Sequence, residues 1–250
     1  MSTSTILTSR MEMFYDSSQA LLEALYPNYS TNSKALISRI GQDKKLSQFD
    51  TFNKRLKISW GMRIEFNDNL PIKDEDTRAC YMLMLKISDL WFAFEHLVQT
   101  SSELIPTDAP SRSSVDLYRD STLAALGFPD ITSHFNRLLY THVLHKPNYR
   151  KEMYRLLAYL KNNTKGGTKN AIADTIARIK EKQELQTKHI FALAYGIRNV
   201  YVHKGVAAAL GSKNYRLKRV LYSILYDSLI LYSLALGDAY CRKYSQGSQC

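Results

Sequence analysis

Between residues 74 and 101, apolar side chains fall on nearly every side of a helical wheel: Tyr81-Met82-Leu83-Met84-Leu85, then Leu90, Trp91, Phe92, Phe94 and Leu97. A helix without a polar face must be covered by neighbours all round. That requirement predicts an all-α bundle with this segment near its centre. The rest of the chain agrees, since helical spacing of apolar residues dominates and no stretch shows β alternation. Only 10 Gly and 6 Pro in 250 residues argue against a turn-rich β fold or disorder. The most apolar stretch, residues 220–236, is interrupted by Asp227 and three serines. It is shorter than the roughly 20 residues a bilayer span needs. We read it as a buried or dimer-facing helix, with no membrane involved.

Punctuation divides the chain further. Residues 8–26 read as a helix ended by Pro27, and Asn32 or Ser33 can cap a second one running to Ile40. Residues 46–66 read as a third. Asn67-Asp68-Asn69-Leu70-Pro71 is the clearest break, giving a helical extension over 1–70 and a helical domain over 71–250. Residues 101–114 read as an exposed loop. Short helices follow over 115–126, 131–144 and 149–162. Helices over 171–182 and 185–203 are expected to be nearly continuous, and residues 215–244 form the last long helix.

Charge separates the halves. Residues 1–130 carry 14 Lys+Arg against 17 Asp+Glu, whereas residues 131–250 carry 20 against 6. A positive excess confined to one half suggests a polyanion partner, most simply RNA. Cys80, Cys241 and Cys250 are far apart and odd in number, which fits a reducing cytoplasm and supplies no zinc site. Cys80 and Cys241 fall in helical patterns and read as packing residues. The first residues lack a basic leader followed by an apolar run, so a cytoplasmic location is expected.

The segment with chemical potential is Tyr195-Gly196-Ile197-Arg198-Asn199-Val200-Tyr201-Val202-His203-Lys204-Gly205. It combines a fixed cation, an adjacent amide and an imidazole. A cation can stabilise a phosphorane and an imidazole can move the 2′-hydroxyl proton. Residues five apart lie about 140° around a straight helix, so one helix does not bring Arg198 and His203 to one face automatically. A distorted last turn, the reach of the arginine, or pairing across a two-fold axis could do so.

This segment resembles the Arg-polar-x-x-x-His signature of the HEPN superfamily, all-helical proteins that include metal-independent ribonucleases. The resemblance implies that Arg198 contacts the scissile phosphate. His203 acts on the 2′-hydroxyl as base or helps stabilise the transition state, and Asn199 orients the other two. It implies cleavage to a 2′,3′-cyclic phosphate and a 5′-hydroxyl, with no metal or cofactor. It also implies a homodimer whose two motifs share one cleft, and a toxin or defence role restrained by an antitoxin or other regulatory protein. The alternative is a non-catalytic module with the same fold that binds RNA or protein.

Four neighbours are candidate RNA contacts. Lys204 could add charge for a phosphate, and Tyr201 could stack on a base unless it packs in the core. Lys165 and Lys169 lie in Thr164-Lys165-Gly166-Gly167-Thr168-Lys169, where Thr168 reads as the cap of the next helix and the lysines could hold a phosphate. His189, about 180° from Arg198, reads as structural or surface. His142 and His145 have metal-compatible spacing without a third ligand nearby. Asp89 and Glu95 sit in the apolar segment and need partners. Three arrangements separate the functional readings. A nuclease brings Arg198 and His203 together in an open basic cleft. A binding module ties His203 up. A purely structural protein pairs Arg198 with Asp89, Glu95 or another acid.

Overall fold

The computed structural model describes residues 13–38, 44–62, 74–101, 130–204 and 211–246. Among these there are eight α-helices and no strand, as the periodicity required. They are α1 (Asp16–Ile37), α2 (Lys44–Gly61), α3 (Glu75–Ser101), α4 (Ile131–Leu139), α5 (Pro147–Asn162), α6 (Gly166–Lys180), α7 (Thr187–Lys204) and α8 (Tyr215–Gln246). The expected break at 67–71, the helix over 115–126 and most of the loop at 101–114 lie outside the described residues.

The last helix, α8, is the axis of the bundle. Every residue from 221 to 241 is buried, and the helix packs chiefly on α1 and α3. It is long and apolar enough to cross a membrane, yet its most apolar window is 94% covered by neighbouring helices. Two of its buried polar residues find partners inside the fold. Asp227 accepts the backbone N–H groups of Phe14 (3.1 Å) and Tyr15 (3.2 Å), and Ser228 donates to the Ile224 carbonyl. Beside this anchor, Arg137 Nη2 lies 2.9 Å from His134 Nδ1 and His134 Nε2 lies 2.9 Å from Ser18 Oγ. A guanidinium only donates, so Nε2 carries the imidazole proton and donates to Ser18.

The central helix α3 starts at Asp74, whose carboxylate caps it by accepting the Thr77 N–H at 2.7 Å. It buries Leu83, Ile87, Leu90, Trp91 and Phe94 against α8, α2 and α7. Helices on both sides of residue 71 feed one apolar cluster: Leu22, Tyr29 and Leu36 of α1 and Phe49, Phe52 and Leu56 of α2 join the α3 and α8 side chains. Cys80 and Cys241 are buried free thiols, each pushed up to about 12 by burial, as their packing role suggested.

Pro27 does not end a helix. It lies within α1, and no second helix starts at Asn32 or Ser33. The buried stripe Ser18, Leu22, Tyr26, Tyr29, Ser33 and Leu36 runs unbroken past it. Pro27 itself faces outward, so the carbonyl four residues back loses its partner where the helix surface meets solvent. Packing on α8 offsets the roughly 3 kcal/mol that an internal proline costs. Asn32, far from capping anything, donates to Asp238 on α8 at 2.7 Å.

Candidate active site

Two side chains fix the start of α7, the helix that carries the motif. Asn136 of α4 clasps the backbone of Leu185, donating to its carbonyl at 2.7 Å and accepting its N–H at 2.9 Å. His189 is fully buried; its Nδ1 accepts the Gln186 N–H at 2.8 Å, leaving Nε2 to donate to Asp174 Oδ2 at 2.8 Å. Its reading as a structural histidine holds. Finally, α6 and α7 are not continuous. Lys182 adopts a left-handed backbone, with φ of 58°, and its N–H returns to the Ile179 carbonyl, closing α6 before the chain turns.

Thr168 does not cap α6. It is buried inside the helix, and Lys165 occupies the cap position without a side-chain cap. Gly166 explains the entry, since its φ of 56° suits a residue without a side chain. Gly196 of α7 packs close to Ile172, Thr164 and Leu160, so α5 and α6 cover that face of the motif helix.

Arg198 lies two residues on, about 200° around the axis from Gly196, and faces α3. Its guanidinium carbon stacks 4.5 Å from the centroid of the Phe92 ring. Nη1 donates to Asn199 Oδ1 at 2.9 Å and lies 3.5 Å from His203 Nε2. One unbroken helix therefore gathers all three motif residues. The arginine folds back over Phe92, which shortens the gap that the 140° separation creates. His203 is exposed, while Arg198 and Asn199 are half-buried. Asn199 Oδ1 accepts from the guanidinium, so the amide orients the cation directly.

Arg198 is not neutralised by the acids of α3. Asp89 lies 3.7 Å from Arg55 of α2, with burial raising its carboxyl above the ordinary range, and Glu95 accepts the Trp91 indole N–H at 2.8 Å. Among the described residues no carboxylate lies within ion-pair distance of Arg198, and its buried Nε has no hydrogen-bond partner. Arg55 approaches the same Phe92 ring, at 5.8 Å, so one ring carries two guanidinium groups. Neither Phe92 nor Arg55 was legible as a site residue, because both are remote in sequence from the motif. The signal that could have found Phe92 is an aromatic one helical turn from the embedded Asp89.

The remaining candidates are distributed. Tyr201 is half-buried and packs against the core; burial, then the nearby Tyr81, raises its hydroxyl above the ordinary value. Lys165 and Lys169 are exposed at the start of α6, on the side of α7 away from Arg198, and no described contact joins them to the motif. The side chain of Lys204 lies outside the described residues, as does Gly205. His142 packs its ring 4.9 Å from that of Tyr15, and His145 Nδ1 approaches the Tyr140 carbonyl at 3.2 Å. Among the described residues no three His, Cys, Asp or Glu side chains are grouped as a metal site. A cavity of about 1020 Å³ opens between the starts of α3, α5 and α8, and Arg198, Asn199 and His203 are not among its lining residues. The motif lies instead on the open surface of α7 beside α3. No protein-family model, curated protein or solved structure matches this chain.

Proposed function

We propose that the chain is a HEPN-like, metal-independent endoribonuclease, cutting RNA by attack of its own 2′-hydroxyl on the adjacent phosphate. The observation that carries the reading is the triplet of Arg198, Asn199 and His203, with the cation unmatched by a carboxylate among the described residues and the imidazole exposed. An entering phosphate supplies the counter-charge that Arg198 lacks. The contact between Arg198 and His203 Nε2 is long at 3.5 Å, so a phosphate oxygen competes well for the guanidinium N–H.

Once Arg198 turns to the phosphate, the imidazole is free to accept the 2′-hydroxyl proton. The new bond forms between the 2′-oxygen and phosphorus. The bond to the 5′-oxygen breaks, and that oxygen leaves as a hydroxyl by taking a proton from water, while the imidazolium releases its own proton to solvent. Arg198 stabilises the extra negative charge on the phosphorane between these events. DNA lacks the internal nucleophile and stays intact. The cytoplasmic location, the toxin or defence role and its restraint by an antitoxin belong to the same proposal. In the shared-cleft version, two such surfaces meet across a homodimer axis and enclose one strand.

The test is incubation of the purified chain with labelled RNA in EDTA, beside Arg198→Ala and His203→Ala. Fragments ending in 2′,3′-cyclic phosphate from the wild type alone support the reading. Intact RNA, bound in a salt-sensitive way, transfers the conclusion to a non-catalytic RNA-binding module. That second reading has its own support in the location of the triplet on an open surface instead of in the large cavity.

A further inference from the structure

The cavity beside α5 and the start of α8 has a chemistry of its own. Its walls carry Lys151 and Arg155 from α5, and Lys213 and Arg216 from the turn into α8. They also carry three acids, two of them ion-paired and the third, Asp74, hydrogen-bonded with its charge retained. Asp74 caps α3 through Thr77. Asp76 pairs with Arg219 at 3.0 Å. Glu152 pairs with Arg155 and accepts the Ser212 hydroxyl at 2.8 Å. Lys151, Lys213 and Arg216 are exposed and have no carboxylate within ion-pair distance among the described residues. The amides at the start of α8 are not the attraction, because Asn214 Oδ1 takes the Leu217 N–H and Ser212 Oγ the Asn214 N–H.

Half-buried tyrosines relate this cavity to the motif helix. Tyr215 lines the cavity. Tyr81 of α3 is near enough to act on the hydroxyls of both Tyr215 and Tyr201. Tyr201 lies one turn beyond Arg198. Unpaired cations flanking half-buried aromatic rings are the combination that holds a single strand: phosphates on the cations, bases stacked on rings.

We propose that this cavity is an RNA exosite, in which Lys151, Lys213 and Arg216 hold backbone phosphates of a single strand that then passes over Tyr215, Tyr81 and Tyr201. The proposal deepens the ribonuclease reading and rests on it in naming RNA as the polyanion.

The experiment measures binding of a labelled, uncleavable 2′-O-methyl oligonucleotide of about 12 residues by anisotropy across a salt series. It compares the wild type with the triple variant Lys151→Gln/Lys213→Gln/Arg216→Gln. A control, Lys34→Gln/Lys180→Gln/Lys182→Gln, removes the same charge from exposed sites elsewhere. Losing three phosphate contacts should reduce the salt slope by about 2 and weaken binding about 100-fold near 0.1 M salt. The control should shift Kd less than about 3-fold, as screening at that salt predicts. In cleavage of the unmodified RNA, the triple variant should raise KM and leave kcat unchanged. Equal binding by the triple variant and the control overturns the exosite even if the wild type cuts RNA. Loss of binding confined to the triple variant, with no cutting by the wild type, upholds the exosite and removes the nuclease. A wild type that binds no RNA removes both.

Discussion

Phe92→Leu isolates the contact that shapes the candidate site. The guanidinium carbon of Arg198 lies 4.5 Å from the ring centroid, and both residues are half-buried. Cation–π contacts range from about 0.5 kcal/mol when exposed to about 2 kcal/mol when desolvated, which puts this one near 1 kcal/mol. Leucine keeps most of the apolar volume but has no π face, so it also loses some burial energy of similar size. A double-mutant cycle separates the two effects. Arg198→Met removes the charge and keeps the apolar stem, and the coupling is read from urea unfolding of the two single variants and the double variant. We expect a coupling of about 1 kcal/mol, independent of any catalytic function. In RNA cleavage the same loss of order at Arg198 should slow Phe92→Leu about 5-fold, the rate equivalent of that energy. A coupling within the roughly 0.3–0.5 kcal/mol scatter of additivity would show that the ring does not hold the guanidinium.

Two other perturbations test the framework around the site. Gly237→Ala would place a methyl 2.7 Å from Tyr29 Cε2 and 3.2 Å from Phe52 Cε1, and Tyr29 is tethered to Asn53 by its hydroxyl at 2.9 Å. Overpacking of about 1–3 kcal/mol should exceed the helix propensity gain of about 1 kcal/mol, lowering the urea midpoint. Gly61→Ala, with nothing within 4 Å, should not lower it, and a Gly237→Ala protein as stable as the wild type would contradict the packing. Burial pushes the Asp227 carboxyl up to about 7, against the Phe14 and Tyr15 N–H bonds that pull it down. The folded chain therefore holds this proton more tightly than the unfolded chain, whose carboxyl titrates near pH 4. Stability from this group is complete below about pH 4 and is lost as pH rises to about 7. Urea midpoints from pH 4 to 8 should fall more steeply for wild type than for Asp227→Asn; equal slopes would refute the assignment.

The coarse fold was legible because it rests on periodicity. The all-round apolar character of α3 and the apolar stretch in α8 can be satisfied only by helical neighbours. The failures have a common cause in tertiary contacts. Pro27 is a strong local stop signal, yet the stripe from Ser18 to Leu36 against α8 overrides it. Thr168 has good capping chemistry, but Gly166 admits a left-handed turn that starts α6 three residues earlier. At the site, the helical angle between Arg198 and His203 argued against convergence on one helix. What closes the gap is Phe92, more than one hundred residues away in sequence, and no local pattern encodes that contact. Asp89 and Glu95 could have neutralised Arg198; Arg55 and Trp91 take them instead.

The proposed ribonuclease depends on Arg198 and His203 acting together on RNA. Its most direct measurement is single-turnover cleavage of one labelled RNA in EDTA by wild type, Arg198→Ala and His203→Ala, each confirmed folded by its thermal midpoint. Wild type should give cyclic-phosphate fragments, and each variant should lose at least about 100-fold, the usual weight of one acid–base or oxyanion group. Cleavage that survives both substitutions, or a wild type that leaves the RNA whole, would contradict the proposal.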